Sequence, residues 1–315
     1  MSDSVPVPDV PPAERRPITL PRLLEMKQLG DPIVMVTAYD YPSAQVVEEA
    51  GVDIVLVGDT AAEIVLGYDS TRAVSVEEMI VLTRAVRRGL GTPLLVGDLP
   101  FGSYQRSDEQ AVETAARFMK EAGCDAVKIE MAGAAGGFVE KGPSIARARA
   151  IVAAGIPLMG HVGLTPQSST ALGGYRAQGR TARDAVQVAD DALALQETGC
   201  FAIVFEAVPA AVTEAIMELL QVPVIGIGAG PSADGQVLVF HDLLGIYEGR
   251  APRFVKRFAQ MRRVMVDGVA RYRDEVRDRR FPTRDHCYTI DPEELERFKE
   301  VIAPGKAWDV ADAMS

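Results

Sequence analysis

Eight short apolar runs rich in β-branched residues recur along this chain, each leading into a polar or charged residue or a glycine turn and separated by helix-like stretches. They are IVMVTAYD (33–40), DIVLVGDT (53–60), PLLVGDLP (93–100), AVKIEM (126–131), PLMGHVG (157–163), FAIVFEAV (201–208), PVIGIGAG (223–230) and VLVFHDLLGI (237–246). Unbroken runs of this kind are what strands buried on both faces look like. The segments between them carry helix punctuation. SAQVVEEAG (43–51) ends in Gly51, a residue suited to the left-handed C′ position. SVEEMIVLTRAVRRGL (75–90) opens with Ser75 and acids and closes with Arg87 and Arg88, the charge order a helix dipole favours. SDEQAVETAARFMKEAG (107–123) repeats the pattern with Ser107 as N-cap and Gly123 as stop, and TARDAVQVADDALALQETG (181–199) repeats it again. PAAVTEAIMELL (209–220) starts with a proline expected in the first turn.

Strands alternating with helices predict an α/β fold, a (β/α)₈ TIM barrel. An open doubly wound sheet would need a glycine-rich phosphate loop after an early strand, and the sequence has none there. GIGAGPSADGQ (226–236), after the seventh run, reads either as an anion-binding loop or as a tight turn with close backbone packing. The expected organisation is a disordered acidic, proline-rich arm over 1–17, a barrel with C-terminal helices over 18–288, and an extension over 289–315. Residues 251–280 read as a highly charged amphipathic helical region, lying on the surface or at a subunit contact.

With 33 basic and 44 acidic residues, the formal charge of −11 argues against general nucleic-acid binding, which needs a basic face. No run of ~20 apolar residues suggests a membrane span, and the first residues lack the apolar core of a signal peptide. A cytoplasmic protein is therefore expected. Cys124 and Cys200 each precede a strand and read as small buried residues, and three scattered cysteines make no disulfide framework.

In a barrel the site forms at the C-terminal ends of the strands. The second to sixth runs end in Asp59-Thr60, Asp98, Lys128-Ile129-Glu130, His161 and Glu206. Lys128 and Glu130 are two apart, so both point to the same side of a strand. A lone aspartate at such a place would more often cap a helix or form a salt bridge. Three acids on consecutive strand ends, Asp59, Asp98 and Glu130, suit a hard cation instead. Oxygen donors without a Cys/His cluster favour Mg²⁺. His161 reads equally as a hydrogen-bonded structural histidine or a site group. Tyr39 and Asp40 either line the mouth or end the strand, while His241 and His286 are expected to be structural or on the surface. Such a Mg²⁺ can chelate a 2-oxo acid and polarise its carbonyl, and a nearby lysine can neutralise the developing oxyanion. Glu206 stands apart from the three acids and is the candidate base for the adjacent proton, a role worth ~10²–10⁴-fold. Phe205, Ala207 and Val208 around it are expected to raise its pKa.

The segments TAYDYPSA (37–44), LVGDTAAEIVLGYDST (56–71), DLPFGSY (98–104), VKIE (127–130), GHVGLTPQS (160–168), GGYRAQGR (173–180), FEAVP (205–209) and PVIGIGAGPSADGQVLVFHDLLG (223–245) together resemble the ketopantoate hydroxymethyltransferase family, in order and over residues 18–288. The resemblance implies a Mg²⁺-dependent barrel enzyme that transfers a one-carbon unit from 5,10-methylenetetrahydrofolate to 3-methyl-2-oxobutanoate, giving 2-dehydropantoate for pantothenate synthesis. It implies metal ligation at Asp59, Asp98 and Glu130, one of them acting through water. It implies 2-oxo acid contacts at Asp59, Thr60, Asp98 and Lys128, a histidine near the substrate at His161, and a proton acceptor at Glu206. It further implies a homo-oligomer, a decamer of two pentameric rings. Thr60 stands where the family usually has serine, MAGAAGGFVEKGPS (131–144) is longer than the usual segment, and Asp285-His286-Cys287-Tyr288 is followed by extra residues. Two other readings compete. One is a Mg²⁺-dependent lyase or mutase of the phosphoenolpyruvate mutase/isocitrate lyase type, which usually carries a reactive cysteine in a loop after a strand, where this chain has none. The other is a catalytically silent binding barrel, which predicts loss of mouth acids that are all present here.

Overall fold

Period-two alternation with burial on both sides shapes this chain into a closed sheet. The computed structural model describes residues 15–131, 142–247, 249 and 252–303. Residues 1–14 of the expected arm, most of the 131–144 segment and residues 304–315 lie outside the described residues. Among the described residues eight parallel strands close in sequence order, β1 (Ile33–Thr37), β2 (Ile54–Val57), β3 (Leu94–Asp98), β4 (Ala126–Lys128), β5 (Leu158–Gly163), β6 (Ala202–Glu206), β7 (Val224–Ile227) and β8 (Gly235–Leu238), with β8 pairing back to β1. Ile33, Met35, Ile54, Leu56, Leu94, Val96, Ala126, Met159, Ala202, Val204, Ile225 and Val237 fill the inside. Their neighbours Val36, Val55, Leu95, Val127, Leu158, Ile203 and Phe205 face outward into the layer of helices. Both parities are apolar because both faces are covered, which is why the runs read as continuous.

The helices are α1 (Leu20–Leu29), α2 (Tyr41–Ala50), α3 (Ala61–Ile64), α4 (Val76–Gly89), α5 (Asp108–Arg117), α6 (Gly142–Ala153), α7 (Ala182–Thr198), α8 (Ala210–Met217), α9 (Phe240–Leu243), α10 (Met261–Arg277) and α11 (Pro292–Val301). The expected caps are in place. Ser75 and Glu78 form a capping box on α4, Ser107 and Thr181 cap α5 and α7, and Gly51, Gly123 and Gly199 take left-handed conformations at helix ends. Pro209 is the N-cap of α8 and precedes its first turn. α1 supplies Leu23 and Met26 to the inner cluster beside Ile33, Ile54 and Leu94, the first residues of their strands. It therefore closes the N-terminal end of the barrel, and the open mouth lies at the other end.

Two sequence expectations are corrected. The last strand is Gly235–Leu238, earlier and shorter than 237–246, because the apolar run beyond it coils into α9, where Leu243 N–H donates to the Val239 carbonyl at 2.9 Å and Phe240 N–H is held by Thr37 Oγ1 at 3.0 Å. Short apolar runs do not distinguish strand from buried helix. The charged helical region begins only at Met261. The chain divides into two compact units, Met1–Gln260 and Met261–Ser315. Within the second, α10 and α11 have no buried residue. No helix among the described residues is long and apolar enough to cross a membrane.

The 226–236 segment is a tight crossover. It passes from β7 to β8 without a helix, and a Cβ on Gly235 would sit 2.4 Å from the Ile33 carbonyl oxygen, so only glycine fits there. The segment borders a cavity of about 810 Å³ with Lys27, Gly30–Val34 and Phe254, but the Lys27 ammonium is spent on Asp234 at 2.8 Å. The contact at Gly235 is what the tight-turn reading expects.

Candidate active site

The inward-pointing series within each strand ends in charge. Leu94, Val96 and Asp98 lie on one line, as do Ala126, Lys128 and Glu130, Met159 and His161, and Ala202, Val204 and Glu206. Glu130 lies just past β4, yet Ile129 N–H donates to Met159 O at 3.2 Å and Met131 N–H to His161 O at 3.0 Å, so the register carries on and Glu130 keeps the inward side. Asp59 sits in the turn between β2 and α3, where Ala62 N–H donates to its carbonyl. Thr60, half-buried, is the N-cap of α3. All the sequence-predicted site residues therefore belong to the C-terminal mouth.

Asp98 is the hub. Lys128 Nζ donates to its Oδ1 at 2.7 Å, and the Asp59 backbone N–H donates to its Oδ2 at 3.2 Å. Glu130 Oε1 is 4.0 Å from Lys128 Nζ and 3.5 Å from His161 Nδ1, while the other ring nitrogen, Nε2, is 3.3 Å from Glu206 Oε2. The imidazole thus lies between Glu206 and the three-acid group, which places Glu206 closer to that group than strand position alone suggested. Neither ring nitrogen completes a hydrogen bond, which is unusual for an imidazole this deeply buried.

Four carboxylates share this enclosure with one lysine, and their protonation follows from that imbalance. Burial first, and then the Asp98 carboxylate, push Asp59 up to about 7. Burial holds Glu130 well above the usual carboxylate range and, against the pull of Lys128, pushes Glu206 up to about 8. Phe205 and Val208 pack into the outer apolar layer, so the desolvation felt by Glu206 comes from the barrel mouth itself. Burial, seconded by Lys128, keeps His161 far below its ordinary value and therefore neutral. Burial also disfavours the Lys128 ammonium, but Asp98, Glu130 and Asp59 more than offset it and keep lysine charged.

Two residues without an expected role complete the site. Gln167, in the turn Pro166–Ser168 after β5, donates from Nε2 to Asp59 Oδ2 at 3.0 Å, and its backbone N–H donates to Glu130 Oε2 at 3.0 Å. Tyr104 donates its hydroxyl to Gln167 Oε1 at 2.7 Å and accepts from Glu130 N–H at 3.2 Å. Both lie in loops with no periodic signal; only their presence in the DLPFGSY and GHVGLTPQS segments marked them.

Of the open alternatives, Asp40 lies three residues past the end of β1 and caps α2, accepting from Ser43 N–H at 2.7 Å. His241 is half-buried against Tyr39, with ring centroids 5.6 Å apart, and His286 is exposed. Cys124 and Cys200 are buried ahead of β4 and β6, and burial pushes their thiols up to about 12 and 11, which suppresses the thiolate a nucleophile needs.

The donor set fits a divalent cation. Buried carboxylates in excess of cations are costly unless they pair or coordinate metal, and all the candidate donors are hard oxygens. Among the described residues no three His, Cys, Asp or Glu side chains form a ready-made metal centre. A Mg²⁺ site needs no such cage: one or two carboxylates with water and substrate oxygens suffice.

A family model described as ketopantoate hydroxymethyltransferase matches residues 17–284. The 3-methyl-2-oxobutanoate hydroxymethyltransferase of Moorella thermoacetica is 50% identical over 276 residues, covering 88% of this chain and 99% of that one. That of Carboxydothermus hydrogenoformans is 48% identical over 280 residues, covering 89% and 98%. A mitochondrial enzyme of the same name from Arabidopsis thaliana is 48% identical over 287 residues, covering 89% and 80%. Among solved structures, phosphonopyruvate hydrolase in complex with oxalate and Mg²⁺ superposes with TM-score 0.57 at 13% identity, covering 91% of this chain and 99% of that one. A 2,3-dimethylmalate lyase of the phosphoenolpyruvate mutase/isocitrate lyase superfamily gives 0.52 at 16% identity, covering 92% and 95%. At such identities these two likenesses concern the fold alone.

Proposed function

The chain belongs to the ketopantoate hydroxymethyltransferase family, and from that premise we propose that it makes 2-dehydropantoate from 3-methyl-2-oxobutanoate, with 5,10-methylenetetrahydrofolate as one-carbon donor and Mg²⁺ as cofactor. One water is consumed and tetrahydrofolate is released. The observation that carries this reading is the position of Glu206. Its desolvated carboxyl faces the Asp59, Asp98, Lys128 and Glu130 group across a neutral His161. A base set apart from a cluster rich in oxygen donors is what proton removal next to a chelated carbonyl requires.

Asp59 and Asp98 would hold Mg²⁺, with Glu130 contributing directly or through water. When bound, Mg²⁺ supplies Lewis-acid polarisation of the 2-oxo group. Lys128, fixed by Asp98, presents a permanent positive charge to the substrate carboxylate or to the oxygen that gains charge. Glu206, as carboxylate, takes the C3 proton; the C–H pair becomes the C2–C3 double bond and the carbonyl pair moves onto oxygen. C3 then bonds to the one-carbon unit as that carbon's two C–N bonds to the folate break; water supplies the new hydroxyl and one proton, Glu206 returns the other, and both protons end on the folate nitrogens of the released tetrahydrofolate. His161 keeps Glu206 and Glu130 apart without adding charge, and the Thr60 hydroxyl is a substrate contact at the rim. Family membership leads us also to propose a large homo-oligomer, to be tested by light scattering.

The deciding experiment is proton NMR of 3-methyl-2-oxobutanoate in D₂O with enzyme and Mg²⁺. The C3 proton signal is expected to disappear, and a chelator is expected to preserve it. Absence of exchange both without folate and with tetrahydrofolate present would overturn the mechanism.

A further inference from the structure

Gln167 hydrogen-bonds to both Asp59 and Glu130, and it does so with different atoms. Its side-chain Nε2 donates to Asp59 Oδ2 and to the Leu99 carbonyl, each at 3.0 Å. Its backbone N–H donates to Glu130 Oε2 at 3.0 Å. Its Oε1 accepts from Tyr104 Oη at 2.7 Å and from Gln105 Nε2 at 3.3 Å. Reversing the amide would set its oxygen against two acceptors, the Asp59 carboxylate and the Leu99 carbonyl, so its orientation is fixed from that side. Tyr104 is itself anchored, since its hydroxyl accepts from the Glu130 N–H at 3.2 Å. Burial and the nearby Glu130 hold the phenol well above its ordinary value, so it remains a neutral donor. Gln167 is 3% exposed, so bulk water offers these bonds little competition.

This arrangement ties the ends of four consecutive strands to one residue: Asp59 after β2, Leu99 after β3, Glu130 after β4, and Gln167 itself after β5. We propose that Gln167, locked by Tyr104, is a positioning residue that sets the separation of Asp59 and Glu130 and orients the Asp59 carboxylate toward the divalent cation. The inference rests on the metal reading given above. It assigns Gln167 no contact with substrate. A neutral amide suits the task because it holds a ligand carboxylate without competing with the cation for charge, as a lysine in its place would. Groups that hold metal ligands in this way typically govern affinity by about ten- to a hundredfold.

The test is Mn²⁺ binding to the full-length, substrate-free protein, followed by electron paramagnetic resonance of the free ion. Gln167→Met keeps the side-chain length and the backbone N–H to Glu130 but removes the hold on Asp59. Its Mn²⁺ affinity is expected to fall about ten- to a hundredfold. Tyr104→Phe leaves Gln167 in place but frees its amide, and is expected to weaken Mn²⁺ binding in the same direction by less. Urea unfolding without metal provides the contrast, since a purely structural residue would lower the unfolding midpoint and leave the affinity of the folded protein alone. Unchanged Mn²⁺ affinity in both variants overturns the proposal, and Tyr104→Phe decides it if Gln167→Met does not fold. If the unmodified protein takes up no Mn²⁺, the metal reading itself falls; if it binds and the variants bind equally, only the role of Gln167 falls.

Discussion

Glu206→Gln is expected to make this protein more stable and to abolish its chemistry, and the size of the gain follows from the site. The Glu206 side chain is 15% exposed, and burial raises its pKa from 4.5 to about 8. At about 1.4 kcal/mol per pH unit, ionising it in the folded protein costs up to about 5 kcal/mol more than ionising it in the unfolded chain. The sign is fixed by linkage. Between pH 4.5 and about 8 the folded state keeps a proton that the unfolded chain has released, so this residue's contribution to stability falls as pH rises and levels off above about 8. Asp59, raised from 3.8 to about 7, adds a loss of the same sign that levels off above about pH 7 and is smaller in the variant, where the Glu206 charge no longer helps to raise it. The assay is urea unfolding of the chelator-treated protein at about pH 5, near the bottom of the window, and about pH 8.5, above it. Wild type should lose several kcal/mol between the two, and the variant should lose less by up to about 4 kcal/mol. Mg²⁺ should restore part of the wild-type loss, because a cation bound to the folded state stabilises it by mass action. The variant should also fail to exchange the C3 proton. An equal dependence of stability on pH in the two proteins would refute the claim that Glu206 is desolvated, and with it the reason for naming it the base.

Three further outcomes follow from named contacts. Lys128→Met leaves the buried Asp98 carboxylate without its 2.7 Å partner, so metal-free stability should fall by about 3–5 kcal/mol by urea unfolding, with no proton exchange remaining. Gly163→Ala would put a Cβ 2.3 Å from the Glu206 carbonyl oxygen at a φ of +90°; the β5–β6 backbone must shift, so exchange activity should be lost with a stability decrease of at least about 1–3 kcal/mol. Glu48 accepts from Gly91 N–H, Thr92 N–H and Thr92 Oγ1 at 2.7, 3.0 and 2.7 Å, and these bonds outweigh burial and hold its carboxyl below 4.5. Glu48→Gln should therefore destabilise by about 1–3 kcal/mol at neutral pH, the difference shrinking as the solution is acidified through that depressed pKa.

The barrel was legible in the sequence because two-sided burial leaves no polar parity in a strand, so any charge inside an apolar run must mark an end. Asp98, Lys128, Glu130 and Glu206 stand out for that reason, and their i, i+2 spacing from Val96, Ala126 and Val204 assigns them to the interior before any coordinates are known. The same logic fails where periodicity stops. VFHDLLGI is as apolar as a strand, yet its end is set by Thr37 Oγ1 capturing the Phe240 N–H, a contact 203 residues away in sequence. Gln167 and Tyr104 escape for a related reason. Their roles come from turns after β5 and β3, where no spacing rule says which way a side chain points, and 63 residues separate them along the chain. His161 shows the limit most sharply. Strand position put it in the mouth beside Glu206, but its place between Glu206 and Glu130 depends on how far Glu130 continues the β4 register after the strand bonds to β3 end. Strands therefore carry the composition of the site, and the loops at their ends carry its spacing. Substitutions that alter chemistry should fall on the first set, and substitutions that tune cation affinity on the second.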